Sequence, residues 1–210
     1  MIKKGRAICL FSLFLIRQSA FDLPCALQKH LLATDLGLDT VFVYDRDLSL
    51  LSSASVPDGS GVRHGVFSHD GKYFYCVNEM GGSVSTFAWR APHLSLLNTV
   101  SILPSDYEGV GSGAAIKLSE SGDRLYLTER ATERIITLKV EREHLSVLAR
   151  TDTHGKEPRD FTLLANGRYA IVTNQFSDSA SVYTLDEDGI PVLLSRFAIP
   201  APLSAVEAEC

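Results

Sequence analysis

The chain is poor in the residues that most directly mark a protein's chemistry. Among 210 residues there are four cysteines, two methionines and one tryptophan. Cys9, Cys25, Cys76 and Cys210 form no C-x-x-C pair and no metal-ligand spacing, so neither a disulfide framework nor a zinc site is indicated. Positive charge is not concentrated anywhere: the net charge is -5 with acidic and basic residues interspersed, which argues against a nucleic-acid partner. No G-x-S-x-G nucleophile elbow is present. The GVGSG stretch at 109–113 lacks the Lys-Ser/Thr of a phosphate-binding loop and reads as a flexible connection. No apolar run is long enough to span a bilayer as an ordinary helix, so a membrane partner is not expected.

What is present at the N-terminus is unusual. A basic start (Lys3, Lys4, Arg6), an apolar run from Ala7 to Ile16 and the small residues Ser19 and Ala20 have the layout of a secretory signal. Against export, Arg17 directly follows the run, and unpaired thiols suit a reducing, cytoplasmic setting. Residues 1–29 are therefore set apart as an atypical segment, signal-like or left by truncation. Residues 30–210 are read as one folded region.

From His30 onward, apolar and β-branched runs alternate with turn residues at short intervals, which predicts all-β structure. A hairpin turn recurs at His69-Asp70-Gly71, Ser121-Gly122-Asp123 and Ala165-Asn166-Gly167. Asp35, Asn78, Glu129 and Asn174 occupy equivalent places, 43, 51 and 45 residues apart. A period of this size with several short strands per unit is the signature of a β-propeller. About four blades and a partial one are accounted for, an incomplete ring whose open edges predict self-association.

The stretches ATDLGLDTVFVY, GVRHGVFSHDGKYFYCVNE, SGAAIKLSESGDRLYLTER and KEPRDFTLLANGRYAIVTNQ together resemble the lactonase family of seven-bladed β-propellers, which includes bacterial 6-phosphogluconolactonases and relatives of carboxy-muconate cyclase. The resemblance covers His30 to Ile199, the C-terminal half or somewhat more of a full member. It implies a shallow polar site at one channel mouth, no cofactor, no metal and a small sugar lactone as substrate. Residue by residue, the G-x-R-H motif falls on Arg63 and His64, the N-E motif on Asn78 and Glu79, the Arg of S-N-R on Arg130, and P-R-D-F on Pro158 to Phe161, which adds Arg159. Two positions depart from the family pattern. RQSAFDLPCALQ has no histidine where the family has P-H-x-H, and Ala115 stands where the family has an acid.

Hydrolysing a lactone needs a base for water and cations for the oxyanion and any substrate phosphate. Glu79 or His64 is the candidate base, with Arg63 beside it as catalytic cation. Arg130, Arg159 and Asn78 are the candidate substrate contacts. Each has a plainer alternative. Arg63 and Glu79 form a structural ion pair, His64 is a strand-end histidine, Arg130 belongs to a solvated charged turn with Glu129, Glu133 and Arg134, and Arg159 pairs locally with Asp160. His69 is read as exposed and inert. Two other functions stay open beside the lactonase: a non-catalytic propeller scaffold, and a cyclase that forms or opens dicarboxylic lactones.

Overall fold

The computed structural model describes residues 11–14, 30–165 and 167–207. The signal-like layout and the RQSAFDLPCALQ stretch lie outside the described residues, apart from Phe11–Phe14. Sixteen strands among the described residues form four antiparallel four-stranded sheets in chain order. The first is β1 (Phe11–Phe14), β2 (Leu31–Asp35), β3 (Thr40–Tyr44) and β4 (Leu50–Ser55). The second is β5 (Val62–Phe67), β6 (Tyr73–Asn78), β7 (Ser83–Arg90) and β8 (His93–Ser101). The third is β9 (Gly113–Leu118), β10 (Arg124–Glu129), β11 (Arg134–Glu141) and β12 (His144–Asp152). The fourth is β13 (Pro158–Leu164), β14 (Tyr169–Asn174), β15 (Ser179–Leu185) and β16 (Pro191–Ala198). These are propeller blades. No helix among the described residues is long and apolar enough to cross a membrane.

Period-two alternation explains how the blades stack, because successive side chains on a strand face opposite sides of the sheet. On β6, Phe74 and Cys76 pack toward the first blade with Val41, Val43 and Trp89, while Tyr75 and Val77 pack toward the third with Ile116, Leu127 and Leu138. Tyr126 and Ile135 of the third blade meet Phe161, Val172 and Tyr183 of the fourth. Three apolar seams thus hold four blades together. The seams carry repeated polar staples: the Tyr75 hydroxyl donates to the Arg142 carbonyl at 2.8 Å and the equivalent Tyr126 hydroxyl to that of Gly189 at 2.8 Å. Burial pushes the Tyr126 phenol up to about 12.

The repeat register has a direct structural meaning. Asp35, Asn78, Glu129 and Asn174 each end the second strand of a blade and are each at most 1% exposed. The Asp35 and Glu129 carboxylates accept backbone amides of the turn into the third strand, which would otherwise be orphaned, while the two asparagines bond mainly to serines of the third strand. Asp35 Oδ1 accepts from the amides of Gly37 and Leu38, the local capping expected of an aspartate in a turn. Asn78 Nδ2 donates to the hydroxyls of Ser83 and Ser85, and Asn174 Nδ2 to Thr153 O and Ser181 Oγ.

Two sequence expectations are refined here. In the GVGSG stretch Val110 is exposed, whereas Gly111 is packed: a Cβ on Gly111 would lie 2.4 Å from the Gly82 backbone, so glycine is needed for a close approach of two chain segments. His69 is exposed but not inert. Its Nε2 lies 2.9 Å from the Ser119 carbonyl, tying the β5–β6 turn to the β9–β10 turn of the next blade.

Candidate functional site

A β-bulge recurs near the start of the innermost strand of three blades. Val62 pairs with Asn78 and His64 with Val77, leaving Arg63 as the extra residue. Pro158 pairs with Asn174 and Asp160 with Thr173, leaving Arg159 as the extra one. The register shifts likewise between Glu129 and Leu127 on the third blade, where Ala114 and Ala115 oppose Thr128. Bulges re-aim side chains and are common beside functional sites. Here they set Arg63 and Arg159 at the same end of the blades.

At that end the residue following each register position is Glu79, Arg130 or Gln175. Their backbone amides make equivalent bonds: Glu79 N to Gly61 O, Arg130 N to Ser112 O and Gln175 N to Glu157 O. The strand ends of three blades therefore converge on one cluster. Arg63 Nε lies 3.0 Å from Glu79 Oε2, and Arg130 Nη2 lies 2.7 Å from Glu79 Oε1. Both are charge contacts without the alignment of a directed hydrogen bond, and Arg130 Nη2 is left without a hydrogen-bond acceptor. Arg63 Nη1 donates to Ala114 O at 2.6 Å. Arg130 donates from Nη1 to Glu157 Oε1 at 3.1 Å and from Nε to Ser112 O at 3.1 Å.

Burial separates the roles. The Arg130 side chain is 8% exposed, against 25% for Glu79. Arg130 thus forms the floor and Glu79 the accessible face. Burial lowers the pKa of Arg63, Glu79 opposes that shift, and the charges of Arg130 and Arg159 add to it. Among the described residues no group of three or more His, Cys, Asp or Glu is placed to hold a metal.

The expected residues divide accordingly. Arg63, Glu79 and Arg130 are brought together, and the Arg63–Glu79 pair is real. Asn78 is fully buried beneath them, so it orders the turn that carries Glu79 and has no face open to solvent. The solvated-turn alternative for Arg130 is overturned by its burial, and Glu129 beside it is fully buried. Glu129 Oε1 accepts the Ser112 amide at 2.5 Å, and Oε2 accepts the Thr132 amide at 2.6 Å and hydroxyl at 2.7 Å. Arg159 makes no pair with Asp160, which instead accepts the Ala205 amide at 3.3 Å. Ala115 packs at 1% exposure in the seam with Phe161, where a carboxylate would be buried.

Sequence reasoning missed Glu157 and Lys117. Glu157, 20% exposed, is the counter-ion of Arg130. Its one signal is its place directly before P-R-D-F. Lys117 interrupts the otherwise apolar strand GAAIKL, and its ammonium lies 5.9 Å from the centre of the Phe161 ring.

His64 is half-buried on β5. Desolvation first, then the charges of Lys117 and Arg63, push its pKa down to about 3, so the imidazole is neutral at pH 7. The unfolded chain binds this proton near 6.5. Between about pH 6.5 and pH 3 the unfolded state holds more protons than the folded one. The stabilisation associated with neutral His64 is then complete above pH 6.5 and is lost as the pH falls toward 3. His64→Gln should flatten unfolding free energy against pH in that window by up to ~1.4 kcal/mol per pH unit. Urea titrations of both proteins at pH 4, 5 and 6 read this directly; parallel curves would refute it.

Comparison with known proteins places the whole chain rather than its single residues. The 6-phosphogluconolactonase of Serratia proteamaculans is 34% identical over 152 residues, which are 70% of this chain and 46% of that protein. The 6-phosphogluconolactonase of Klebsiella pneumoniae is 35% identical over 147 residues, 68% of this chain and 44% of that protein. The periplasmic gluconolactonase of Pseudomonas aeruginosa superposes with a TM-score of 0.78 at 31% identity, over 83% of this chain and 52% of that one. The chain thus spans about half the length of these relatives. Residues 25–204 match the family described as lactonase, 7-bladed beta-propeller, and this chain belongs to that family.

Proposed function

We propose that the chain hydrolyses sugar lactones of the 6-phosphogluconolactone type. The observation that carries this reading is the state of Glu79. It is partly exposed at the mouth of the cluster, and each of its oxygens is in ion-pair contact with a guanidinium from a different blade. Such a carboxylate can accept the proton of a water while cations wait beside the carbonyl that the water attacks.

The steps follow from these groups. Glu79 takes a proton from water as the oxygen adds to the lactone carbonyl. Arg63 and Arg130 stabilise the tetrahedral oxyanion. Collapse expels the ring oxygen, which recovers the proton from Glu79, giving the open hydroxy acid. His64 is assigned a lining role: an imidazole with a pKa near 3 is unprotonated at pH 7 but too weakly basic to compete for the proton. Arg159 is free of carboxylate partners among the described residues and holds a polar edge of the substrate. The proposal keeps the cytoplasmic setting expected from the sequence.

The rival reading, a non-catalytic propeller, is supported by Ala115, which packs in an apolar seam at the position where the family resemblance implied an acid. One assay separates the two. The full chain should speed the loss of freshly made 6-phosphogluconolactone or gluconolactone well above the spontaneous rate. Loss of both lactones at the spontaneous rate, with folded protein in micromolar amounts, refutes the enzyme reading.

A further inference from the structure

The position just before the innermost strand recurs from blade to blade, and its occupants differ. Gly61 precedes Val62, which pairs with Asn78, and Glu157 precedes Pro158, which pairs with Asn174. The Gly61 carbonyl accepts the Glu79 amide and the Glu157 carbonyl the Gln175 amide, so the two residues are equivalent. Both have a left-handed backbone, with φ of 67° at Gly61 and 56° at Glu157. Glycine adopts that conformation freely, whereas a residue with a Cβ is strained in it. Pro158 adds to the strain, because a proline pushes the residue before it towards extended backbone. Local conformation therefore disfavours glutamate at 157, and strain of this kind points to a use for the side chain.

The connection that carries Glu157 is held firmly enough to keep the strain. Thr153 bonds the Glu133 carbonyl through its amide and its hydroxyl, and the Lys156 amide donates to Ser177 Oγ at 2.9 Å. From there Glu157 reaches Arg130. Its Oε1 accepts from Arg130 Nη1 at 3.1 Å, and the Ser112 carbonyl accepts from Arg130 Nε at 3.1 Å. A guanidinium is a planar fork, so fixing Nε and Nη1 fixes the direction of Nη2, which lies 2.7 Å from Glu79 Oε1. With Ser112 alone the fork pivots about Nε, and Nη1 of a side chain only 8% exposed loses its acceptor. The freed fork then closes on Glu79 with two nitrogens, the arrangement that arginine and carboxylate favour. Closed in that way, it is withdrawn from an oxyanion.

We propose that Glu157 is a positioning residue of the lactone site, a clamp that holds Arg130 in the orientation in which it serves the oxyanion. Glu157 acts through Arg130 and touches no reacting atom. The use to which Arg130 is put rests on the lactonase reading; the clamp rests on the strained backbone and the ion pair.

The test uses the full chain, labelled with 15N-arginine, as wild type, Glu157→Gln and Glu157→Gly. Arg130 should give two separate Nη signals in wild-type protein, assigned by their loss in Arg130→Lys, and one averaged signal in both Glu157 variants. For lactone hydrolysis, kcat should fall about tenfold to 100-fold in both variants, the size expected for a misplaced group, with KM little changed. Glu157→Gly should unfold at a higher urea concentration than Glu157→Gln, since both lose the carboxylate and only glycine releases the strain. Signals of Arg130 already averaged in wild type, or still separate in both variants, would overturn the clamp. So would an unchanged kcat in an active enzyme, or a urea midpoint for Glu157→Gly at or below that of Glu157→Gln. If no lactone is hydrolysed while Arg130 is held by Glu157 alone, the hydrolytic reading falls and the clamp stands.

Discussion

Glu79→Gln should reduce kcat for lactone hydrolysis about 10³-fold, ~4 kcal/mol of transition-state stabilisation, with a much smaller change in KM. Glutamine keeps the shape and a carbonyl oxygen near each guanidinium but cannot take a proton. The substitution also leaves Arg63 and Arg130 facing a neutral group. Because the Glu79 and Arg63 side chains are 25% and 22% exposed, solvent offsets part of that loss, and ~1 kcal/mol of stability is a fair expectation. The two effects are separable: urea denaturation reads the second, and kinetics well below the unfolding transition read the first. Glu79→Gln retaining activity within about threefold, while His64→Gln loses it, would move the base to the imidazole.

Arg130→Leu should be the most destabilising single change in the cluster, by ~2–3 kcal/mol. Removing one partner of a buried ion pair leaves its counter-charge uncompensated and costs ~3–5 kcal/mol when both are fully buried. Here the partners Glu79 and Glu157 keep 25% and 20% exposure, which moderates the figure. Arg130 also links three blades, through Glu79 of the second, Ser112 O before the third and Glu157 before the fourth. No other guanidinium of the cluster has that reach. Arg130→Lys, which keeps the charge but loses the planar fork, should fall between wild type and Arg130→Leu. The midpoint of urea unfolding should shift with little change in slope. An unmoved midpoint for Arg130→Leu would mean that the cluster is held together by its blades alone.

Much of the architecture was legible because it is local. The strands of β6, β10 and β14 announce themselves by alternation, and Asp35, Asn78, Glu129 and Asn174 mark strand ends because a buried polar side chain there bonds the turn or the third strand that follows. Arg63 and Glu79 could be paired in advance because they sit at facing ends of one hairpin. The run Thr128-Glu129-Arg130-Ala131-Thr132-Glu133-Arg134 was misleading for the same reason. Read locally it is a charged turn, yet Glu129 and Arg130 are buried by chain segments 17 to 51 residues away. Glu157 and Lys117 were missed because nothing near them in the chain names their partners.

For this protein, then, composition, alternation and turn chemistry by themselves determined the all-β class, the blade repeat and the residue at which each second strand ends, since these depend on interactions within a hairpin. Only the tertiary structure decided which of the candidate charges meet: Arg63, Glu79 and Arg130 come together with Glu157, which the sequence did not point to. The register shifts that leave Arg63 and Arg159 as extra residues arise between neighbouring strands of one blade and the approach of three blade ends to Arg130 arises between blades, and a charge acquires its role from what surrounds it when water is excluded.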